Sequence, residues 1–122
     1  MGLKLVTFGF RYRLPPEKAD LVFDCRHQMP NPFWDLDLRP FCGEDEPVIK
    51  FLSHQPEANY FSARAIAMTS ELLKKKKNVL VAVGCTGGYH RSVYIARQMY
   101  IYFSSIVPTT IEHLDIAREG KP

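Results

Sequence analysis

With 122 residues, 46% apolar and 24% charged, the chain has the size and balance of one globular domain able to bury its own core. A net charge of +3 permits an anionic ligand or RNA but is too small to demand nucleic acid. Three cysteines without a C-x-x-C pair argue against a disulfide framework or a zinc site.

Residues 3–8 are predicted as a first strand that Gly9 ends, and 11–18, with Pro15 and Pro16, as a connection. A second strand is expected over 19–25 (ADLVFDC), buried on both faces. Residues 28–47 carry Pro30, Pro32, Pro40 and Pro47 and read as a long ordered loop, because each proline fixes φ and removes a donor. Loops of that length in compact domains are usually functional. A helix is predicted over 57–77, with Phe61, Ala65, Met68 and Leu72 facing the core. A central third strand follows at 78–84. A second long helix is expected over 89–103, its core face set by Val93, Ala96, Tyr100 and Phe103, and a short edge strand at 109–113. Strands alternating with long helices predict a single α/β layered domain, a largely parallel sheet flanked by helices.

No apolar run reaches the ~18 residues of a membrane span. The start MGLKLVTFGF shows no secretory leader, and Val6 breaks the myristoylation pattern, so the expectation is a cytoplasmic chain away from membranes.

The stretch 79–92, VLVAVGCTGGYHRS, carries the clearest chemistry. A buried strand, a turn of small residues and a helix start make an anion cradle. N–H groups at a helix N-terminus lack partners, and the helix dipole adds positive charge there. Gly87 and Gly88 let the turn reach positive φ and let a ligand approach the backbone. Arg91 adds a fork of donors matched to phosphate oxygens. A phosphate-bearing ligand is expected here. In a parallel sheet ligands collect at the carboxyl ends of strands, so Asp24, Cys25 and Arg26 should meet Cys85 and Thr86.

Five blocks in order, TFGFRYRLP (7–15), ADLVFDCR (19–26), MPNPFW (29–34), LRPFCG (38–43) and VAVGCTGGYHRSVYIA (81–96), resemble the C-terminal domain of the RapZ family, the bacterial RNase adapter proteins. The resemblance covers nearly the whole chain, so 1–122 is expected to be one such domain without the N-terminal P-loop kinase-like domain of full-length members. It implies a sugar-kinase-like phosphosugar-binding fold and glucosamine-6-phosphate as ligand. It also implies a part in binding a small regulatory RNA presented to an endoribonuclease, and a homo-oligomer. Two positions depart from the family pattern. Phe33 stands where better-studied members have a pocket histidine, and the densely basic family C-terminus reads IEHLDIAREGKP here, with Glu112, Asp115 and Glu119 diluting Arg118 and Lys121.

On this reading the domain is a binding module rather than an enzyme, with no cofactor. Backbone amides of 86–89 (Thr86, Gly87, Gly88, Tyr89) and the side chains of Thr86 and Arg91 hold the phosphate; Cys85 contributes its thiol or backbone. Asp24 and His90 would read the sugar. Arg26 and Arg39 either reach the ligand or brace the proline-rich loop against Asp35, Asp37 or Glu44, while Trp34 is expected to anchor that loop by packing.

Two alternatives use the same residues differently. Cys85, Arg91 and Ser92 have the C-x5-R-S outline of cysteine-dependent phosphatases, in which a thiolate attacks phosphorus, an arginine holds the oxygens and a hydroxyl assists the leaving thiolate. Asp24, Asp35, Asp37 and Asp45 are the candidate general acids, none in a recognisable acid-loop context. An RNA-binding module without a sugar ligand would use Lys74, Lys75, Lys76 and Lys77 with Arg118 and Lys121. The plainer account is that lysines at a helix end complement its dipole. His27, His54 and His113 show no metal-ligand spacing, so no metal is expected.

Overall fold

Strands β1 (Gly2–Gly9), β2 (Leu21–Asp24), β3 (Asn78–Cys85) and β4 (Thr109–His113) form one sheet in the order β2-β3-β1-β4, every pairing parallel. The structure is a computed structural model that describes residues 1–119. Helices α1 (Glu46–Ser53), α2 (Pro56–Leu73) and α3 (Arg91–Phe103) cover one face of the sheet, and α4 (Ile116–Glu119) follows β4. Leu3, Leu5, Val81 and Val83 alternate along the covered face and join Leu52, Ala65, Ile95 and Met99 in one continuous core. The α/β layered architecture is therefore as expected.

β1 and β3 are neighbours, yet the chain leaves their C-terminal ends in opposite directions, β1 towards β2 and β3 towards β4. Their ends form a topological switch point, the place where open parallel sheets leave a crevice.

Several boundaries and faces differ from expectation. β2 is a four-residue edge strand, not one buried on both faces: Val22 is 44% exposed and Phe23 is its buried residue. Residues 28–47 are not all loop. They hold a 3₁₀ turn at Pro32–Trp34 and the start of α1, where Pro47 lies in the first turn and so costs the helix no hydrogen bond.

α2 ends at Leu73, leaving Lys74–Lys77 in the turn before β3. Its buried residues are Ala58, Ser62, Ala65 and Thr69, a row of small side chains. Met68 is exposed, and Phe61 and Leu72 flank the core rather than fill it. α3 starts at Arg91 rather than 89. Val93, Ala96 and Phe103 are buried as predicted, but Tyr100 turns outward and Met99 takes the core position.

Candidate functional site: an anion cradle at the switch point

β3 delivers Cys85 to the end of the sheet, the chain turns through 86–90, and α3 begins at Arg91. Gly88 adopts φ +69, and a Cβ there would lie 2.7 Å from the Gly9 nitrogen. A Cβ on Gly9 would in turn lie 2.7 Å from the Gly87 carbonyl carbon. The two backbones touch because neither carries a side chain. Phe10 N–H donates to Cys85 O (2.9 Å) and Arg11 N–H to Thr86 O (3.0 Å), tying the β1 exit to the loop.

The β1 exit is itself held by a buried carboxylate. Asp115 accepts from Gly9 N–H (2.8 Å), from Arg13 through Nε (2.9 Å) and Nη2 (2.7 Å), and pairs with Arg118 (3.0 Å). Burial works to raise its pKa, but the Arg13 and Gly9 hydrogen bonds outweigh it and hold the carboxyl below its ordinary value.

Arg91 is 3% exposed. Its Nη1 donates to Arg26 O (2.6 Å) and Cys25 O (3.3 Å), and its Nη2 lies 3.5 Å from Thr86 Oγ1. Its Nε is buried without a hydrogen-bond partner. Among the described residues no carboxylate pairs with this guanidinium. A buried cation satisfied mainly by neutral carbonyls leaves its charge uncompensated and one donor unused. Cys85 Sγ sits 3.2 Å from Ser92 Oγ beneath the loop. His90 Nε2–H donates to Arg39 O (3.0 Å), and burial pushes the imidazole pKa down.

A cavity of about 590 Å³ opens over these groups. Cys85, Thr86, Gly87, Tyr89, His90 and Arg91 form its floor; Arg11 comes from the β1 exit, and Asn31, Phe33, Trp34, Leu36, Arg39 and Pro40 form its wall. Asn31, Leu36, Pro40 and Arg11 were not anticipated from sequence; the folding of a long loop over the cradle leaves no local pattern. Trp34 does not pack the loop down as expected but is 78% exposed at the cavity rim. Arg39 braces the loop through Phe33, donating from Nε to its carbonyl (2.8 Å) and stacking on its ring at 4.2 Å, not through Asp35, Asp37 or Glu44.

Asp24 and Arg26 stand apart from this cavity. They bond each other in a two-pronged pair (2.8–3.2 Å), which holds the Asp24 carboxyl below its usual range, and Arg26 stacks on Phe10 at 3.8 Å. Asp24 lines a separate groove between β2 and α2; Arg26 serves the cradle through its carbonyl. None of Asp24, Asp35, Asp37 and Asp45 lines the cavity. Lys74–Lys77 lie at the other end of the sheet, where Lys77 O accepts from Gly2 N–H; Lys76 pairs with Asp20 and Lys74 with Glu71. Arg118 is engaged by Asp115 and stacks on Tyr12 at 5.0 Å. Lys121 lies outside the described residues.

A parallel α/β sheet with a Gly-rich strand-to-helix turn and a buried arginine at the switch point defines an α/β domain with a candidate anion site. Comparison with known proteins makes this specific: residues 1–117 match the RapZ C-terminal domain, and the chain belongs to that family. It is 44% identical to a nucleotide-binding protein of Aromatoleum aromaticum over 96% of this chain and 42% of the relative. It is 42% identical to one of Ralstonia nicotianae over 94% of this chain and 40% of the relative. A third, from Mannheimia succiniciproducens, is 48% identical over 84% of this chain and 37% of its own length. The chain thus spans about two-fifths of the relatives it matches. Among the described residues no helix is long and apolar enough to cross a membrane.

Proposed function

We propose that this domain binds a phosphate monoester at the Cys85–Ser92 loop and acts as a sensor or adapter module. The observation that carries the reading is Arg91: buried, without a carboxylate partner among the described residues, its Nε unpartnered there, and lining the cavity. A phosphate would supply the missing charge and acceptors, with the helix α3 N-terminus and the Gly87–Gly88 backbone completing the cradle. Glucosamine-6-phosphate, the ligand that the family resemblance implies, is the first to test. His90 and Asn31 line the same cavity and are the side chains that would read the sugar hydroxyls.

Cys85 beside Ser92 favours a second reading, a cysteine phosphatase, since that pair is the nucleophile and the hydroxyl that would assist its departure. The candidate acids that such chemistry needs are outside the cavity, so binding without turnover is the better-supported function. Isothermal titration calorimetry with glucosamine-6-phosphate separates the two. Saturating heats that return to baseline, lost in Arg91→Ala with the fold retained by circular dichroism, are expected. Parent-like affinity in Arg91→Ala would overturn the site, and heat that continues after each injection and stops in Cys85→Ser would establish turnover.

A further inference from the structure

We infer that Cys25 and Cys85 are a redox pair beneath the cradle: a hydroperoxide entering the cavity oxidises Cys85, and Cys25 closes an intrachain disulfide that weakens anion binding. The pair itself stands on the strand register; its effect on binding rests on the phosphate reading above.

The parallel register of β2 and β3 runs from Leu21 beside Val81 to Asp24 beside Gly84. One step further it sets Cys25 beside Cys85, and Cys25 N–H donates to Gly84 O (2.7 Å), keeping the two segments together at that point. Side chains alternate along a strand, and Phe23 and Cys25 share the helix-covered core with Val83 and Cys85. Both thiols therefore leave the sheet on the same face. Adjacent strands lie ~4.8 Å apart, inside the ~4.4–6.8 Å Cα separation that a disulfide spans. Burial pushes the Cys25 thiol pKa well up, and charge on Cys85 adds to that push, so each sulfur lies within the other's field.

The two thiols are not equivalent. Cys85 lines the cavity, whereas Cys25 does not and is fully buried. A small oxidant arriving through the cavity meets Cys85 first. Ser92 Oγ stands 3.2 Å from its sulfur and can donate to it once the proton has left. Attack of the Cys85 sulfur on hydrogen peroxide forms an S–O bond and breaks the O–O bond, and the released oxygen leaves as water with the thiol proton. The Cys25 sulfur then attacks the Cys85 sulfur. The S–S bond forms, the S–O bond breaks, and the hydroxide leaves as a second water with the Cys25 proton. Two thiols lose two electrons and one peroxide gains them.

The bond reaches the cradle through Arg91. That guanidinium donates to the carbonyls of Cys25 and Arg26, so drawing Cys25 towards Cys85 moves the acceptors that hold it. The Cys85 sulfur also leaves Ser92 in the first turn of α3. Cys42 takes no part in this register; its sulfur accepts from Glu44 N–H ahead of α1.

The reduced chain is exposed to hydrogen peroxide, denatured, alkylated and digested with trypsin without reduction. Peptides 19–26 and 78–91 are expected as one linked species at monomer intact mass, with Cys42 alkylated. Cys85→Ala should leave Cys25 reduced, and Cys25→Ala should leave a sulfenic acid on Cys85 that dimedone traps. Cys42→Ala should link as the parent does, and circular dichroism checks each variant's fold. The parent digest decides the pairing even where a variant fails to fold. Three alkylated thiols after an exposure that fully oxidises free cysteine, a bond to Cys42, or a bond between chains would overturn the pair.

Calorimetric titration of the reduced and oxidised forms with inorganic phosphate reads the consequence. The oxidised form is expected to bind on the order of tenfold more weakly, and a thiol reductant to restore the parent affinity. Equal binding by both forms would overturn the effect on the cradle. Silence of both forms, with the linked peptides present, would instead overturn the phosphate reading and leave the pair standing.

Discussion

Gly88→Ala should be among the most damaging single-methyl changes in this domain, and the reason is written in two backbones. At φ +69 an L-residue pays about 1–2 kcal/mol relative to glycine. The added Cβ would also stand 2.7 Å from both the Gly9 nitrogen and the Phe8 carbonyl carbon. Those are main-chain atoms of a central strand, so they cannot rotate away as a side chain would. Overpacking of this kind adds about 1–3 kcal/mol, for a total of about 2–5 kcal/mol against the ~5–15 kcal/mol of a whole domain. Urea unfolding followed by circular dichroism reads the loss. With a slope of about 1–3 kcal/mol per molar urea, the midpoint should fall by roughly 1–2 M. Gly2→Ala is the control, since its Cβ would meet nothing nearer than Pro108 O at 3.5 Å and should stay within about 0.5 kcal/mol. A Gly88→Ala midpoint as close to the parent as that control would refute the interlocked-backbone account.

Two further outcomes follow from the titratable groups. His90 is held below the ordinary 6.5 by burial, so the unfolded chain takes up a proton before the folded one does. Stability should therefore decline as pH falls from about 6.5 towards the folded value, and His90→Gln should flatten that part of the curve; an unchanged slope would show that His90 titrates normally. Asp115 also has its pKa held down, below 3.8, so its contribution is complete above that pH and disappears as pH falls through the folded value. Asp115→Asn should cost about 2 kcal/mol at neutral pH, the Arg13 side being partly screened, and should speed hydrogen exchange of the Gly87 and Gly88 amides. Parent-like exchange at those amides would separate Asp115 from the loop.

How far the sequence could be read depended on whether a feature was local. The cradle lies in one contiguous stretch, with an apolar strand, two glycines and a helix start, so Cys85, Thr86, Gly87 and Arg91 were legible as a unit. α1 was not, because Pro47 looks like a breaker unless Asp45 is already known to open a helix. On the buried face of α2 only Ala65 was anticipated; Ala58, Ser62 and Thr69 were missed because they are small or polar, and close approach to neighbouring elements, not hydrophobicity, selects them. Asp115 looked like a charge diluting a basic tail, yet it is fully buried under Arg13, a pairing of residues 102 positions apart. The cavity wall has the same origin in long-range loop folding, which is why Trp34 read as a packing residue and is exposed at the rim.

Arg91 has a thermodynamic consequence beyond the site itself. On the proposed reading, a folded state that hides an uncompensated cation would be stabilised by any anion that enters, whereas the unfolded chain solvates that cation freely. Folding and anion occupancy are therefore linked by mass action, and a ligand at a hundred times its dissociation constant raises stability by about 2.7 kcal/mol. Melting temperature then ranks any set of candidate anions by how tightly the folded domain holds each of them. By the same linkage, phosphate or sulfate in a buffer would act as a competing ligand at the proposed site, so the intrinsic stability of this fold is the one measured in their absence.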